Sequence, residues 1–468
     1  MMATTCSGLV FIVASLLMID RGVGLTLLQD GSHEPYFWSS GRGSVGSYSA
    51  SSYPVTANIS APPTWSWHHP NDLWATVPVG TSIDDQKNVY LTVADGIRKF
   101  SPDGQLLWTY TRRESGTYKW ETITKVAALM DGVAYGITQK GRAFAVSMDT
   151  GRELWSTNVS PLGSDGNYGH VAADAGVVIT AAEVSTKTNR ATPSCCGPMN
   201  HKVVGLSGAD GSILWTYEPE IPVWNFGASF AGDGTFIFQS LDGTVYRNKV
   251  SDGTLVWKAG GVPESWTDGQ ANLGPNGIVY GVANYKKMGP EGCISAHRLS
   301  DGKMLWRHDF PTSPNAVPAV SRVAGYPGLS VVIPVGVNDV AGQRIDVYAL
   351  DAETGKQRWV FEGPTQTVSA GAGDIKGPLP RLFNHVQPMT MPNSWGCTAI
   401  DGQGKVFVGG TTGHFFELQD ADADGKVVGP GEVSVMETPA DFVGSSGPAI
   451  APGLLAIGNA NSLFVWKY

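Results

Sequence analysis

The stretch Ala349-Leu350-Asp351-Ala352-Glu353-Thr354-Gly355-Lys356-Gln357-Arg358-Trp359 is the unit from which this 468-residue chain is built. Apolar and polar residues alternate over 346–350, and a second short run after the glycine ends on the tryptophan. Alternation on both sides of a glycine-containing turn predicts a β-hairpin. Gly355 supplies the positive φ that closes such a turn.

The same unit recurs along the chain. In six copies a glycine precedes a tryptophan by four residues, and these tryptophans are Trp108, Trp155, Trp215, Trp257, Trp306 and Trp359. Their successive spacings are 47, 60, 42, 49 and 53 residues. A β-rich repeat of about 40–50 residues is typical of propeller blades. The repeat therefore predicts an all-β propeller.

The pattern Ala-x-Asp-x-x-Thr-Gly-x-x-x-Trp resembles the tryptophan-docking repeat of the quinoprotein (PQQ-like) β-propeller superfamily. Residues 349–359 match it at every fixed position, and residues 145–155 depart from it only at Ser147. The resemblance covers roughly residues 65–468 and implies eight four-stranded blades, each tryptophan docking against the neighbouring blade. It implies no single function, because the same repeat serves dehydrogenases and scaffolds.

The blade count depends on how the ring closes. Residues 65–74 contain a strand without an upstream blade, and we expect it to supply the outer strand of a last blade formed by 445–468. Such closure removes an open sheet edge. Without it, seven blades are the alternative. Gly429 stands where blade 7 would carry its tryptophan, so we expect weaker docking there.

Composition narrows the class of partner. Charged residues make up 16% of the chain, with 59 glycines and 15 tryptophans, which favours short strands and tight turns over helices. The net charge of −9 argues against a nucleic-acid partner, which would need a basic face.

The N-terminus predicts export. The apolar run 6–18 is too short to span a bilayer comfortably and suits the core of a signal peptide, which we place at 1–24. Residues 25–64 are predicted to be a Gly/Ser/Pro-rich arm, extended or disordered, followed by a single propeller over 65–468. No later stretch predicts a transmembrane helix, so we expect a secreted or lumenal protein. Asn58 and Asn158 begin glycosylation sequons.

Four cysteines remain after removal of the signal peptide: Cys195, Cys196, Cys293 and Cys397. The adjacent pair can form a strained eight-membered ring disulfide. The family resemblance implies a role for it, because quinoprotein alcohol dehydrogenases cover one face of the quinone with a vicinal disulfide. Two alternatives stay open: separate pairing of Cys195 and Cys196 with Cys293 and Cys397, or free thiols.

Two loops, 222–225 and 263–268, resemble loosely the tryptophan-bearing loops at the cofactor of that family. If the chain is a dehydrogenase, the resemblance implies Trp224 or Trp266 as the floor under PQQ, Asn225 as a ligand and Asp268 as the catalytic base. Calcium would be the metal, held by several oxygens. The alternative is that both tryptophans are ordinary blade packing. A Cys-x-x-Cys-His motif is lacking, which excludes covalent c-type haem.

A third candidate is the run Asp420-Ala-Asp422-Ala-Asp424-Gly425, which has the start of a calcium loop. Val428 and Gly431 occupy its ninth and twelfth positions, so the later ligands are missing. The alternative is that Asp-Gly is simply the turn of a degenerate repeat.

Two functions follow from these observations. The leading hypothesis is an exported, non-catalytic scaffold that binds another protein through loops 185–200 and 362–395, the largest insertions in the repeat pattern. Its functional analogue would be the bacterial outer-membrane assembly propeller. The alternative is a PQQ- and calcium-dependent dehydrogenase that oxidises an alcohol or sugar, for which Cys195-Cys196 is the best support.

Overall fold

The computed structural model describes residues 36–44, 46, 48–70, 80–112, 121–123, 125–164, 169–185, 199–265, 267, 269–285, 291–314, 316–336, 343–366, 396–440, 442 and 447–468. Within them the regular structure is entirely β. None of the described residues forms a helix that could cross a membrane.

The strands of the described residues follow in chain order. They are β1 (Trp65–His68), β2 (Gly80–Ile83), β3 (Val89–Val93), β4 (Gly96–Phe100), β5 (Leu106–Tyr110), β6 (Lys125–Val126), β7 (Ala128–Met130), β8 (Val133–Ile137), β9 (Arg142–Ser147), β10 (Glu153–Asn158), β11 (Gly169–His170), β12 (Ala172–Asp174), β13 (Val177–Ser185), β14 (Met199–Ser207), β15 (Ile213–Tyr217), β16 (Ser229–Phe230), β17 (Thr235–Gln239), β18 (Thr244–Lys249), β19 (Leu255–Gly260), β20 (Asn272–Leu273), β21 (Ile278–Asn284), β22 (Gly292–Arg298), β23 (Met304–Phe310), β24 (Ala319–Ser321), β25 (Ser330–Val335), β26 (Gln343–Asp351), β27 (Gln357–Gln366), β28 (Ala399–Ile400), β29 (Val406–Gly409), β30 (His414–Leu418), β31 (Val433–Glu437), β32 (Ala449–Ala451), β33 (Leu454–Gly458) and β34 (Ser462–Lys467).

Eight four-stranded antiparallel sheets form the blades of a propeller, as the repeat predicts. Blades 1 to 7 are β2–β5, β7–β10, β12–β15, β16–β19, β20–β23, β24–β27 and β28–β31. Blade 8 has the order β1-β34-β33-β32, and Trp65 pairs with Val465. The N-terminal strand therefore supplies the outer strand of the last blade, which confirms the predicted closure and the count of eight. An additional parallel pair joins β6 to β11.

The first strand of each blade lies innermost. These short strands are buried and contact the first strands of neighbouring blades, for example β2 with β32 and β7 with β12. Because consecutive strands are antiparallel, each blade connects to the next at one face, where its second and third strands are also joined. We call this the insertion face. The opposite face, which carries the turns between third and fourth strands, is the turn face.

The predicted loops 185–200 and 362–395 both join strand ends at the insertion face. The described strands enter these ranges: β13 ends at Ser185, β14 begins at Met199, and β27 continues to Gln366. Residues 186–198 and 367–395 lie outside the described residues.

The repeat tryptophans dock on the neighbouring blade, as the family resemblance implies. The indole N–H of Trp108 donates to the carbonyl of Met148 in blade 2 at 3.0 Å, and that of Trp306 to the carbonyl of Ala352 in blade 6 at 3.0 Å. A Cβ on Gly151 would stand 2.8 Å from the ring of Trp108. The repeat glycine is therefore required as much for this close approach as for its positive φ. Trp155, Trp215 and Trp257 make the same indole-to-carbonyl bond.

Trp359 docks differently because blade 7 lacks the regular turn. It is 1% exposed, and its indole nitrogen finds no hydrogen-bond partner among the described residues. The neighbouring Val360 instead pairs by its backbone with the connection between β30 and β31. Its N–H donates to Gly425 at 3.1 Å, and its carbonyl accepts from Val427 at 3.0 Å. Backbone pairing therefore replaces the indole bond at this blade junction.

The described part of the predicted arm is packed into the disc. Trp38, Arg42, Val55 and Ile59 are each at most 1% exposed. We expected an extended or disordered arm over 25–64. Its residues 36–44, 46 and 48–64 have little regular secondary structure, yet they are fixed by contacts with several blades.

Candidate functional site

Residues 36–51, which we call the axial segment, lie along the inner strands of the ring. The backbone of Trp38 pairs with Ile83 at the end of β2, with N···O distances of 3.0 and 2.8 Å. Farther along, Val320 of β24 donates its N–H to the carbonyl of Tyr48 at 2.9 Å. The segment therefore contacts the inner strands of blades 1 and 6, and it lies inside the ring that the inner strands form.

The axial segment turns back on itself near Arg42. Ser40 N–H donates to the carbonyl of Gly43 at 3.0 Å, and Ser49 N–H donates to the carbonyl of Arg42 at 3.0 Å. Gly43 has a φ of +89°, which a glycine adopts without strain. The segment enters at the turn face, beside Ile83, and its turn places Arg42 among residues that precede the inner strands. Arg42 therefore lies at the end of the axis nearer the insertion face.

The guanidinium of Arg42 is fully buried. Its Nη1 donates to the carbonyl of Ala271, just before β20, at 3.0 Å. The Nε and Nη2 atoms have no hydrogen-bond partner among the described residues. Burial lowers the pKa of Arg42 to about 10, so the side chain still carries its charge at neutral pH.

Two further polar side chains converge beside Arg42. A Cβ on Gly227 would stand 2.0 Å from Gln270 Oε1, 2.6 Å from His170 Cε1 and 2.7 Å from Arg42 Nη2. Gly227 therefore leaves room that these three side chains share. The three side chains come from different parts of the chain: Arg42 is in the axial segment, Gln270 precedes β20 and His170 ends β11. Gly227 itself precedes β16.

The histidine and the thiol of this cluster are both uncharged at neutral pH. Burial, and then the charge of Arg42, lower the pKa of His170 well below its ordinary value. Its Nε2 lies 3.1 Å from the carbonyl of Ala228 and donates to it, which leaves Nδ1 as an acceptor. Burial raises the pKa of Cys397 to about 11, against the effect of the nearby Arg42. We call Arg42, His170, Gln270 and Cys397 the axial cluster.

Two of the sequence-predicted cofactor residues, Trp224 and Asn225, lie among the described residues. Trp224 packs with Met199, Leu241 and Ile221 in a small apolar cluster. Asn225 is buried, two residues before Gly227, and stays a predicted ligand. Cys195, Cys196, Trp266 and Asp268 lie outside the described residues. The roles of these six residues at a quinone therefore stay predictions.

The structure describes two of the four cysteines that follow the predicted signal peptide. Cys293 in β22 is a buried free thiol, and Cys397, which precedes β28, is also buried. Cys195 and Cys196 lie outside the described residues, so their pairing with Cys293 and Cys397 stays a prediction. A vicinal Cys195-Cys196 bond stays a prediction.

The predicted calcium loop contains a carboxylate that the sequence pattern did not indicate. Ligand atoms of Asp420, Asp422 and Glu432 lie within 4.8 Å of one another. Glu432 comes one residue after the twelfth position, so a template of fixed length misses it. Asp424, which the sequence predicted, is not part of this group.

Hydrogen bonds within the loop already satisfy these carboxylates. Glu432 accepts the N–H groups of Ala421 and Val428, both at 2.8 Å. Asp420 accepts the N–H of Gly425 at 3.0 Å and the hydroxyl of Tyr326. These donors offset the repulsion among the carboxylates, so the loop geometry is explained without an ion. Metal binding here stays a prediction.

The described residues do not fit a calcium–quinone pair at the axial cluster. Calcium needs several oxygen ligands, and a carboxylate set is the usual source. No carboxylate of the described residues acts on the charge of Arg42. A buried guanidinium without a counter-charge would also repel a divalent cation placed beside it.

The axial segment was missed because its glycines and serines are typical of disorder. A contrary signal was present in Tyr36-Phe37-Trp38, since disordered segments contain few aromatic residues. Arg42 lies between two glycines in a loop-like stretch, and nothing in its spacing indicated an axial position.

Eight four-stranded blades joined by tryptophan docking define a PQQ-like β-propeller. The family model described as "Outer membrane protein assembly factor BamB" matches residues 73–192 and 167–332, together more than half of the chain. The chain belongs to this family.

One relative with a named activity matches a short part of the chain. The chain is 28% identical over 129 residues to the dehydrogenase subunit of alcohol dehydrogenase (quinone) from Gluconacetobacter polyoxogenes. That match covers 24% of this chain and 17% of that protein, so it spans far less than the relative's length.

Two solved structures share the fold. BamB from Moraxella catarrhalis has a TM-score of 0.52 at 15% identity, covering 81% of this chain and 96% of that one. Quinohemoprotein alcohol dehydrogenase from Comamonas testosteroni has a TM-score of 0.61 at 12% identity, covering 92% of this chain and 80% of that one. At these identities the likeness establishes the fold alone.

Proposed function

We propose that this chain is a non-catalytic, exported propeller that binds another protein through its insertion face. The observation that carries the proposal is the passage of the chain's own residues 36–44, 46 and 48–51 along the axis, with the fully buried Arg42 among them. Quinone chemistry on the axis would require a set of metal ligands there. The axial cluster offers neither a carboxylate nor, in the described residues, another set of oxygens suited to a metal.

The position of the long connections supports binding at the insertion face. The strand ends at Ser185 and Met199, and those at Gln366 and Ala399, all lie on this face. Rigid strands beneath long connections are the usual arrangement of a binding surface. The family description, which names an assembly factor, favours a protein as the partner.

Export is part of the same proposal. The apolar run 6–18 suits a signal peptide, and it lies outside the described residues. The family name places a member in outer-membrane assembly, which agrees with a location outside the cytoplasm.

The competing function is quinone-dependent oxidation of an alcohol or sugar, and a ligand titration separates the two. We would titrate the mature, oxidised protein with PQQ and calcium, following the melting temperature and the reduction of a dye by simple alcohols and sugars. A ligand that binds only the folded state must raise the melting temperature. We expect no saturable shift and no dye reduction. Saturable binding with alcohol-dependent dye reduction would establish the dehydrogenase instead.

Photo-cross-linking tests the binding face directly. A benzoylphenylalanine would replace Leu162, which is 54% exposed in the connection from blade 2 to blade 3 at the insertion face. The matched control replaces Val428, which is 68% exposed at the turn face. In cells of the native source we expect a discrete cross-linked protein from position 162 and none from 428. Equal labelling from both positions would contradict the choice of face.

A further inference from the structure

One edge of the Arg42 guanidinium carries two N–H donors that no described residue accepts. Nη1 donates a hydrogen bond to the carbonyl of Ala271, whereas Nε and Nη2 have no hydrogen-bond partner. Nε–H and one Nη2–H point in parallel from the same edge of the planar group. This edge matches the two oxygens of a carboxylate and binds them side-on.

A buried charge without a partner is costly. Removing the partner of a buried ion is among the more destabilising changes in proteins, because the remaining charge keeps its full desolvation penalty. Arg42 is 0% exposed, so solvent at the surface does not relieve this penalty. An anion bound beside the guanidinium would offset this penalty.

The neighbours of Arg42 do not supply that anion. Cys397 is a neutral thiol, because burial raises its pKa to about 11. His170 is a neutral imidazole, and Gln270 is an amide. Among the described residues the axial cluster therefore carries one positive charge and no negative charge.

We propose that the axial cluster binds a small planar anion of the carboxylate class, held by the Nε–Nη2 edge of Arg42. Over Gly227, side-chain atoms of His170 and Gln270 converge with Nη2 of Arg42, so polar groups from three parts of the chain meet at one end of this edge. The site is closed, since both Arg42 and His170 are 0% exposed, and this limits the ligand to a few heavy atoms. The inference does not depend on the proposed function, because the anion is a ligand of the axis and not of the insertion face.

Formate is the probe of choice because it is the smallest carboxylate. We would measure its binding to the mature protein by saturation-transfer NMR and by melting temperature, at constant ionic strength balanced with sodium chloride. We expect saturable binding and a saturable rise in melting temperature of a few degrees, since formate would bind the folded state only. No saturable response would mean that water fills the cluster, and the proposal would be wrong. An equal response when chloride alone is varied would overturn the carboxylate class.

Variants assign the response to Arg42. Arg42→Met removes both donors and should abolish formate binding. Arg42→Lys keeps the charge but cannot present two parallel donors, and it should bind formate at least about 10-fold more weakly. This second variant keeps the test decisive if Arg42→Met does not fold. Unchanged affinity in Arg42→Lys would overturn the side-on arrangement.

Val55→Ala is the matched control. Val55 is fully buried in the same N-terminal region, beside blades 7 and 8, and is not a member of the axial cluster. The substitution should lower the melting temperature without changing the formate affinity. A loss of affinity equal to that of Arg42→Lys would show that formate responds to general loosening of the segment, and this would contradict a site at Arg42.

Discussion

The indole of Trp65 lies against the Cα of Gly104 and donates its N–H to the carbonyl of Pro102 at 2.9 Å. Trp65 belongs to β1, the outer strand of blade 8, and Gly104 belongs to the turn of blade 1. The contact is the same as the docking between other neighbouring blades, and here it joins the last blade to the first. Closure of the ring therefore has two parts, strand pairing in blade 8 and docking on blade 1.

Gly104→Ala should weaken this closure. The new Cβ would stand 2.8 Å from the ring of Trp65, and the φ of +86° adds strain. Crowding costs about 1–3 kcal/mol, in addition to about 1–2 kcal/mol for the left-handed conformation. Gly132→Ala is the control, because its φ is +77° and nothing lies within 4 Å of the new Cβ. Denaturant unfolding of both variants measures the difference, and equal losses would show that docking at Gly104 contributes nothing.

A buried ion network beside the closure should make stability depend on pH. Asp95 is held by His69 at 3.1 Å and by both terminal nitrogens of Arg98, at 2.8 and 2.9 Å. Burial alone would raise the pKa of Asp95, but the hydrogen bonds from His69 and Arg98 together lower it well below its ordinary value. A carboxyl whose pKa is lower in the folded state stabilises the protein above its unfolded pKa of about 4 and loses this stabilisation as the pH falls.

Asp95→Asn therefore has a predictable signature. At neutral pH it should cost about 3 kcal/mol, because it leaves Arg98 buried without its counter-charge. Below pH 4 the gap between the wild type and the variant should narrow as Asp95 becomes protonated. Melting temperatures from pH 7 to pH 2 measure this convergence. A constant gap over the whole range would show that Asp95 acts only through packing.

The axial segment should contribute to the stability of the entire disc. Trp38→Ala removes a side chain that is 1% exposed and should cost about 3–5 kcal/mol. Tyr53→Ala is the control from the same N-terminal region, since Tyr53 is 36% exposed and makes one edge contact with Phe37. It should cost about 1 kcal/mol. Similar losses, measured by denaturant unfolding, would mean that the segment is not anchored through Trp38.

The Asp420 loop gives a prediction about hydrogen bonds. Glu432→Ala would leave the N–H groups of Ala421 and Val428 without their acceptor and should cost about 1–2 kcal/mol. Glu437→Ala removes a side chain that is 74% exposed and should change little. Melting in EDTA and in excess calcium provides the check. We expect the same cost in both, whereas a cost seen only with calcium would support the predicted metal site.

The repeat predicted the fold because its signal is local and periodic. A glycine four residues before a tryptophan recurs in each of six hairpins, and the spacing determines the blade size. Trp65 was harder to recognise as a docking residue, since it has no glycine of its own upstream. Its partner, Gly104, lies in a different blade and 39 residues later in the chain.

The candidate site could not be predicted in the same way. Arg42, His170, Gln270 and Cys397 are distant in sequence and meet only because the inner strands of different blades begin at the same end of the axis. No local pattern records such a meeting. Glu432 illustrates a smaller failure, in which one additional residue in a loop moves a carboxylate out of the expected position.

Several contacts of the N-terminal segment join it to residues that are made much later. Arg42 makes a hydrogen bond with a residue 229 positions later in the chain. Val55 makes one with a residue 346 positions later, and Ala61 makes one with a residue 405 positions later. Contacts of such long range slow folding, because most of the chain must be ordered before they form. During synthesis these three contacts therefore cannot form until blades 5, 7 and 8 have been made. A chain interrupted before Ser462 would lack β34, and β1 would then have no strand to pair with in blade 8.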